Sequence, residues 1–497
     1  WLQEYVQLDG MEPGALADKL TMLGLEVDSV TPLFQDLKEL KTALITEAVP
    51  HPDADKLQVC TVETGDQTLQ IVCGAPNARK GLCTVIALVG TVLPGNFKIK
   101  KSKVRGVESH GMLCSERELG LSEDHTGIME LPEGTPHGLP FLEAAGIDDI
   151  QVEVDLTPNR PDCASVIGIA REVAGVTRGE LSFPYKGVTL DKTSDSFSVE
   201  VVSPELCPRY SAKLIKGVKI SPSPWWLRKR LLSIGMRPVN NIVDVTNLIM
   251  MEYGQPLHAF DFNMLADHKI IVRTPNADEK EFTTLDHVTR KLERDTLMIC
   301  DAKGPVAVGL NSEVTDDTVD ILLESACFNA VSIRRTARRL NLPSEASYRF
   351  ERGVDPEGTL DAMERAIQMM QEVAGGVIEE GGIDVYDGKK DIEKLPLRIS
   401  KTADLLGIEL ELEQVKELLE SIQLSCEKKD EDTLTVTVPT FRVDLEREVD
   451  LVEEVARLVG YNEIPVSLPD VDLSYPEQSA ERITRNSVSG FMTSLGF

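Results

Sequence analysis

The spacing of hydrophobic positions changes along the chain, and each change predicts a different kind of element. Residues Pro13 to Gly24 read as a helix between extended segments, so residues 1–39 are expected to form a short α/β scaffold. From Leu40 to about Leu142 the pattern becomes short apolar runs cut by Gly and Pro: Leu44-Ile-Thr-Glu-Ala-Val49, Leu69-Gln-Ile-Val-Cys73 and Cys83-Thr-Val-Ile-Ala-Leu-Val89. Strands at this spacing with few helices predict a small closed β-barrel. A helix follows through Ile167-Gly-Ile-Ala-Arg-Glu-Val-Ala174, and much later the strand Thr433-Leu-Thr-Val-Thr-Val-Pro439 leads into the segment Phe441 to Tyr461. There Asp450, Glu453 and Glu454 stand at i, i+3 and i+4 and so share one helix face, with Asp444 just before it.

Like charges this close repel unless something offsets them. Arg442, Arg447 and Arg457 could neutralise part of the cluster, and a hard cation such as Mg²⁺ with oxygen ligands is the other answer. Spacing alone leaves both a solvated acidic face and a metal site open.

At 497 residues the chain can hold about three to five domains, each with its own core. No apolar run approaches the length of a membrane span, and the visible start, Trp1-Leu-Gln-Glu-Tyr-Val6, has neither the basic leader nor the cleavage site of a signal peptide. A soluble, cytoplasmic protein is therefore expected. The nine cysteines are scattered from Cys60 to Cys426 without a C-x-x-C pair, which points to buried reduced thiols rather than to a disulfide framework or a zinc cage. The net charge of −30 excludes a protein that coats nucleic acid by bulk electrostatics, so any nucleic acid must meet a local basic patch. Three patches stand out: Lys98-Ile-Lys-Lys-Ser-Lys-Val-Arg105, Arg228-Lys-Arg230 after Trp225-Trp226, and Arg334-Arg-Thr-Ala-Arg-Arg339. In the last, Arg334/Arg338 and Arg335/Arg339 stack at i, i+4 on one broad cationic helix face. Each patch also has a bland reading, as solvated surface beside acidic partners.

The phrases His51-Pro-Asp-Ala-Asp-Lys-Leu57, Val72-Cys-Gly-Ala-Pro-Asn77 and Ser109-His-Gly-Met-Leu-Cys-Ser115 closely resemble the tRNA-binding OB-fold module of several aminoacyl-tRNA synthetases. Such a barrel offers a groove and loops for single-stranded or looped RNA, with Lys98, Lys100, Lys101 and Lys103 as the residues expected to meet it. His51 taken alone reads as a turn or capping histidine. Asp155-Leu-Thr-Pro-Asn-Arg-Pro-Asp-Cys163, Asn240-Asn-Ile-Val-Asp-Val-Thr-Asn247, Gly254-Gln-Pro-Leu-His-Ala-Phe-Asp261, Leu322-Leu-Glu-Ser-Ala326 and Ser344-Glu-Ala-Ser-Tyr-Arg-Phe-Glu-Arg-Gly353 follow in order. Together they are strongly similar to the β subunit of bacterial phenylalanyl-tRNA synthetases, and the resemblance runs from Trp1 to Phe497.

The resemblance implies an (αβ)₂ heterotetramer. The α subunit makes phenylalanyl-adenylate from ATP and charges tRNA(Phe), while β supplies RNA binding, proofreading and support. No run in this chain reads as an ATP site of its own. The implied architecture is a multidomain α+β chain. It comprises an N-terminal scaffold over 1–39, an OB-fold tRNA-binding domain over 40–150 and a mixed α/β B3/B4 editing region over 151–391. A small helix-and-strand, winged-helix-like B5 domain spans 392–468, and a catalytic-like domain begins at 469–497. The resemblance also places Mg²⁺ on Asp444, Asp450, Glu453 and Glu454.

Proofreading has a physical basis of its own. An apolar phenylalanine pocket rejects tyrosine, which adds one hydroxyl, only about a hundredfold, so a second, hydrolytic site is needed. To spare phenylalanine, that site should hold a buried acceptor for the phenol. Glu324, inside Ile321-Leu-Leu-Glu-Ser-Ala326, is the best candidate, although a carboxylate there, taken by itself, is more simply explained by a salt bridge to an arginine. Thr246, Asn247, His258, Ser344 and Ala346 match family positions of the editing pocket. His258 would orient water or hold the terminal ribose, and Ala346 would leave room for an aromatic ring. No Ser/His/Asp or Cys/His constellation is legible, which favours ester hydrolysis by a positioned water.

Two departures from the family pattern are visible. Most of a longer glycine-rich loop is absent between Gly304-Pro-Val-Ala-Val308 and Gly309-Leu-Asn-Ser-Glu-Val314, either a true shortening or, the reading preferred here, a gap, and the chain stops at Leu495-Gly-Phe497. The rival reading is a free-standing deacylase or tRNA-binding chaperone without an α partner.

Overall fold

The computed structural model describes all residues except 9, 184–189, 191–193, 284–287, 307–313, 390 and 467–477. The junction between Val308 and Gly309 lies outside the described residues.

The N-terminal scaffold is completed by chain from beyond the barrel. Glu26–Pro32 pairs antiparallel with Ile150–Asp155, Pro32 opposite Ile150. Helix Pro13–Met22 buries Leu16 and Leu20 against Ile167, Ala170 and Val173 of helix Val166–Thr177. Residues 151–155, placed by sequence in the editing region, therefore belong structurally to the scaffold. Their pairing partner lies more than a hundred residues away, which no local pattern encodes.

Five strands form a nearly closed barrel in the order Gly111–Leu113, Cys83–Leu88, Lys41–His51, Ala54–Glu63, Thr68–Cys73. The outer strands almost meet, because the His110 N–H donates to the Gln70 carbonyl at 2.9 Å and the Val72 N–H donates to Ser109 Oγ at 3.1 Å. The run Cys83–Leu88 does not alternate because both its faces are covered: Ile86 packs with Ile45, Cys60 and Ile71, and Val85 and Ala87 with Phe141, Leu142 and Ile147. His51 accepts the Asp53 N–H at 3.0 Å through Nδ1 and lies 3.1 Å from the Val104 carbonyl through Nε2, holding a turn as expected.

The central region carries a sheet ordered Leu257–Asp261, Asp320–Cys327, Arg209–Lys216, Val377–Ile378, with Ile383–Val385 also on the third strand. Alternation sorts its side chains between two cores. Ile321 and Leu323 face helices Asn241–Tyr253 and Thr359–Ala374 through Val245, Leu248, Met363 and Ile367. Leu322, Tyr210 and Phe260 face a second, three-stranded sheet through Ile270 and Val272. Beyond it, strands Lys394–Arg398 and Ser425–Lys428 flank Thr433–Thr437. Leu397, Leu434 and Val436 of this small sheet meet Val415, Leu419, Leu451 and Val455 from the helices, closing the C-terminal module.

All nine cysteines are buried and outside any disulfide bond, as expected of reduced thiols. Among the described residues no helix is long and apolar enough to cross a membrane. The patch after Trp225-Trp226 takes its bland reading: Trp225 donates to the Ala145 carbonyl at 2.8 Å, Arg228 pairs with Glu116, and Arg230 with Glu4. It ties the central region to the barrel and the scaffold.

Candidate functional site

His258 and Glu324 are register partners on neighbouring strands and therefore sit side by side on one sheet face, with Ala212 opposite Glu324 on its other flank. Glu324 is buried, and the hydroxyl of Tyr210 donates to its Oε2 at 2.6 Å. The expected partner was a substrate phenol or an arginine, and the structure supplies a phenol from the chain itself. Glu324 Oε1 has no hydrogen bond among the described residues. Burial pushes the carboxyl up to about 7, so it is poised between acceptor and acid at neutral pH. Solvent reaches the His258 ring, yet the protein walls around it displace enough water to push its pKa down to about 4. The imidazole is thus neutral at pH 7, able to accept a proton from water but not to act as a fixed cation. Phe260 packs edge-on against it, ring centroids 4.4 Å apart.

Thr246 and Asn247 lie on helix Asn241–Tyr253, which covers the opposite face of the sheet; Thr246 Oγ1 donates to the Val243 carbonyl at 2.8 Å. Ser344 caps the short helix Glu345–Phe350, accepting the Ser347 N–H at 3.0 Å, and Ala346 is half-buried in that helix. This helix spans the two groups. Its Arg349 touches Met251 Sδ at 3.0 Å on the one side, while its Phe350 packs on Phe328 at 4.9 Å within the Phe260 core on the other.

In the C-terminal module the acidic face meets guanidinium groups. Arg442 is buried and bonds both Asp444 and Glu454 in two-pronged pairs; Arg457 joins Glu454 to Glu172, and Arg160 joins Glu172 to Asp162. Burial alone would raise the Glu454 carboxyl, but the hydrogen bond from Arg442 and the charge of Arg457 hold it well below the usual carboxylate range. Asp450 accepts the N–H groups of Glu446 and Arg447 at 3.1 and 2.8 Å, capping helix Glu448–Val459, while Glu453 is exposed. Cys163, beside Asp162 and Glu172, also faces the Arg160 guanidinium at 3.1 Å, so this candidate metal-ligand cluster already holds a cation.

On the barrel Lys98, Lys100, Lys101 and Lys103 are all exposed, and Lys101 pairs with Glu108 at 2.9 Å. Phe97, 57 % exposed on the short strand carrying Lys98, is a residue that sequence reasoning missed. A large aromatic beside a lysine run was the available signal.

Three family models match: "Putative tRNA binding domain" over residues 40–140, "B3/4 domain" over 206–375 and "tRNA synthetase B5 domain" over 395–461. The chain is 58 % identical to the phenylalanine–tRNA ligase beta subunit of Desulfotalea psychrophila, over 100 % of this chain and 62 % of that protein. It is 50 % identical to the corresponding subunit of Syntrophotalea carbinolica (94 % and 59 % covered) and 46 % identical to that of Geobacter sulfurreducens (99 % and 62 %). The chain thus spans about three fifths of the length of these relatives.

Proposed function

We propose that this chain, which belongs to the phenylalanine–tRNA ligase beta-subunit family, binds tRNA(Phe) and hydrolyses mischarged tyrosyl-tRNA beside an α subunit that performs ATP-dependent charging. In this reading the two subunits form an (αβ)₂ heterotetramer in the cytoplasm. The near-barrel is an OB fold and the C-terminal module is winged-helix-like. The observation that carries the proofreading role is the pair His258–Glu324: a neutral imidazole beside a buried carboxylate with one oxygen uncommitted. Glu324 Oε1 takes the tyrosine hydroxyl, and phenylalanine would leave it unpaired. His258 orients the attacking water at the ester carbonyl and Ser344 and Ala346 shape the approach, while Thr246 and Asn247 support the sheet from its opposite face. Hydrolysis of tyrosyl-tRNA by the purified subunit, alone and with α, tests this reading; absence of hydrolysis in both forms sinks it. Co-expression with a class II α subunit separates it from a free-standing deacylase, which would neither bind α nor support charging.

The barrel meets RNA electrostatically in this reading. Neutralising Lys98, Lys100 and Lys103 is expected to weaken tRNA binding and to flatten the plot of log affinity against log salt by about 0.7–0.9 for each phosphate no longer neutralised. Phe97→Ala is expected to weaken binding by about 1–3 kcal/mol with the salt slope unchanged, as removal of a stacked base requires. Filter binding across a salt series checks both, and equal slopes for wild type and lysine variant would remove the phosphate role.

Asp444, Asp450, Glu453 and Glu454 offer the oxygen donors that Mg²⁺ prefers, although no three of them bring ligand oxygens within 4.8 Å of one another. With Asp162 and Glu172 they make six carboxylates against the four guanidiniums of Arg160, Arg442, Arg447 and Arg457, so charge is left for a divalent cation even though Arg442 already bridges Asp444 and Glu454. Bound there, Mg²⁺ would supply structural charge neutralisation. Asp450→Asn also loosens a helix cap, so the test is a difference: EDTA should lower the melting temperature of the wild type more than that of the variant. An equal EDTA effect would remove Asp450 from the ligand set.

A further inference from the structure

The third basic patch is largely unmatched by acids in the fold. Helix Ala330–Leu340 carries four arginines and no acid in a chain of net charge −30. Arg339 pairs with Asp295 at 2.8 Å, whereas Arg334, Arg335 and Arg338 have no ion pair among the described residues. Arg334 and Arg338 share a face at i, i+4.

Arg338 lines a groove of about 590 Å³ between this helix and the short helix Glu345–Phe350. Asn341 and Ser344 lie along it, and Tyr348 and Arg352 form the other side. The Arg352 guanidinium stacks 3.6 Å from the Tyr348 ring centroid, so the wall already pairs a cation with an aromatic face, and Arg352 Nε is buried without a hydrogen-bond partner. The two acids in the lining, Glu345 and Glu351, are matched by Arg349 and Arg352 at 2.8 and 3.1 Å, which leaves Arg334, Arg335 and Arg338 without an acidic partner among the described residues.

We propose that this groove is the track on which the single-stranded 3′ end of an aminoacylated RNA reaches the hydrolytic site, its phosphates on Arg334 and Arg338 and a base on Tyr348. Three features select single-stranded RNA. Unpaired guanidiniums suit phosphodiesters bidentately, an aromatic wall suits an unstacked base, and the groove contains Ser344, one of the residues assigned to the hydrolytic site. The proposal rests on the proofreading reading for its destination, but RNA binding in the groove can be measured without hydrolysis.

The test uses the full subunit assembled with α, in wild-type form, as Arg334→Gln/Arg338→Gln and as Tyr348→Leu. A fluorescent single-stranded RNA oligonucleotide is expected to bind the double variant roughly tenfold more weakly, with the salt slope reduced by about 1.4 for two single-strand phosphates no longer neutralised. Tyr348→Leu should weaken binding with the slope kept. In hydrolysis assays KM for tyrosyl-tRNA should rise in both variants with kcat preserved, and cleavage of the small ester 3′-O-tyrosyl-adenosine, which carries no phosphate, should be unaffected. Unchanged oligonucleotide affinity and slope in the double variant overturn the groove, as does equal displacement of the RNA by polyglutamate, which would mark a site for acidic protein. If wild type binds the oligonucleotide through these arginines but hydrolyses neither ester, the groove stands and the proofreading assignment falls.

Discussion

Glu324→Gln in the assembled enzyme is expected to cut the ratio of tyrosyl-tRNA hydrolysis to phenylalanine charging by about 10- to 100-fold. That is the effect of losing a hydrogen bond of about 1.5–3 kcal/mol to a charged acceptor. The side chain keeps its shape, so phenylalanine activation in α should be nearly unchanged. Burial places the carboxyl at about 7, so wild-type preference for tyrosyl over phenylalanyl ester should grow from pH 6 to pH 8 as the acceptor ionises, and should be flat in the glutamine variant. The His258 value of about 4 adds no titration in that window. Ala346→Trp should block hydrolysis whichever amino acid is attached. Normal tyrosyl-tRNA clearance in both variants would place the hydrolytic site elsewhere.

How much of this site could be read from the chain depends on the residue. The apolar phrase around Glu324 announced a buried strand with one carboxylate, because a run of this kind needs no partner to be recognised. What satisfies the carboxylate was not legible. The obvious partner, Arg209, is the immediate neighbour of Tyr210, but alternation turns it to the other face, where it grips Asp384 at 2.9 Å through both Nε and Nη2. Tyr210 reaches Glu324 across 114 residues only because the antiparallel register sets Ala212 against Glu324. The acidic helix behaves alike. Its spacing correctly put Asp450, Glu453 and Glu454 on a common face and named Arg442, Arg447 and Arg457 as neutralising partners, yet the extension of the chain of charges through Glu172 to Arg160 depends on packing between elements 285 residues apart.

Breaking that chain carries the second large effect. Arg457→Met should destabilise the protein by about 1.5–3 kcal/mol, because it removes one of the two guanidiniums that hold each of the buried carboxylates Glu172 and Glu454, leaving Arg160 and Arg442 as their remaining partners. Arg447→Met, at a mostly exposed pair, should cost no more than about 1 kcal/mol. The pH dependence has a definite sign. Glu454 is held below its unfolded value, so its contribution is present in full above the unfolded carboxylate pKa and drains away as the pH falls toward the folded one. Wild type should therefore lose stability on acidification more steeply than Arg457→Met. Denaturant unfolding of both variants from pH 7 to pH 3 measures this, and parallel pH curves would show that the pair contributes nothing net.

The pairing of Pro32 with Ile150 bears on how this chain could be rebuilt. Antiparallel partners lie about 5 Å apart at Cα, so everything between them leaves and re-enters the scaffold at one point. The barrel is thus an insertion with adjacent ends. Such a unit can be excised and replaced by a tight turn, or exchanged for a barrel of different RNA preference, without rerouting the flanking strands. In the proposed reading, grafting at this point would retune capture of the RNA while the candidate hydrolytic site kept its own geometry.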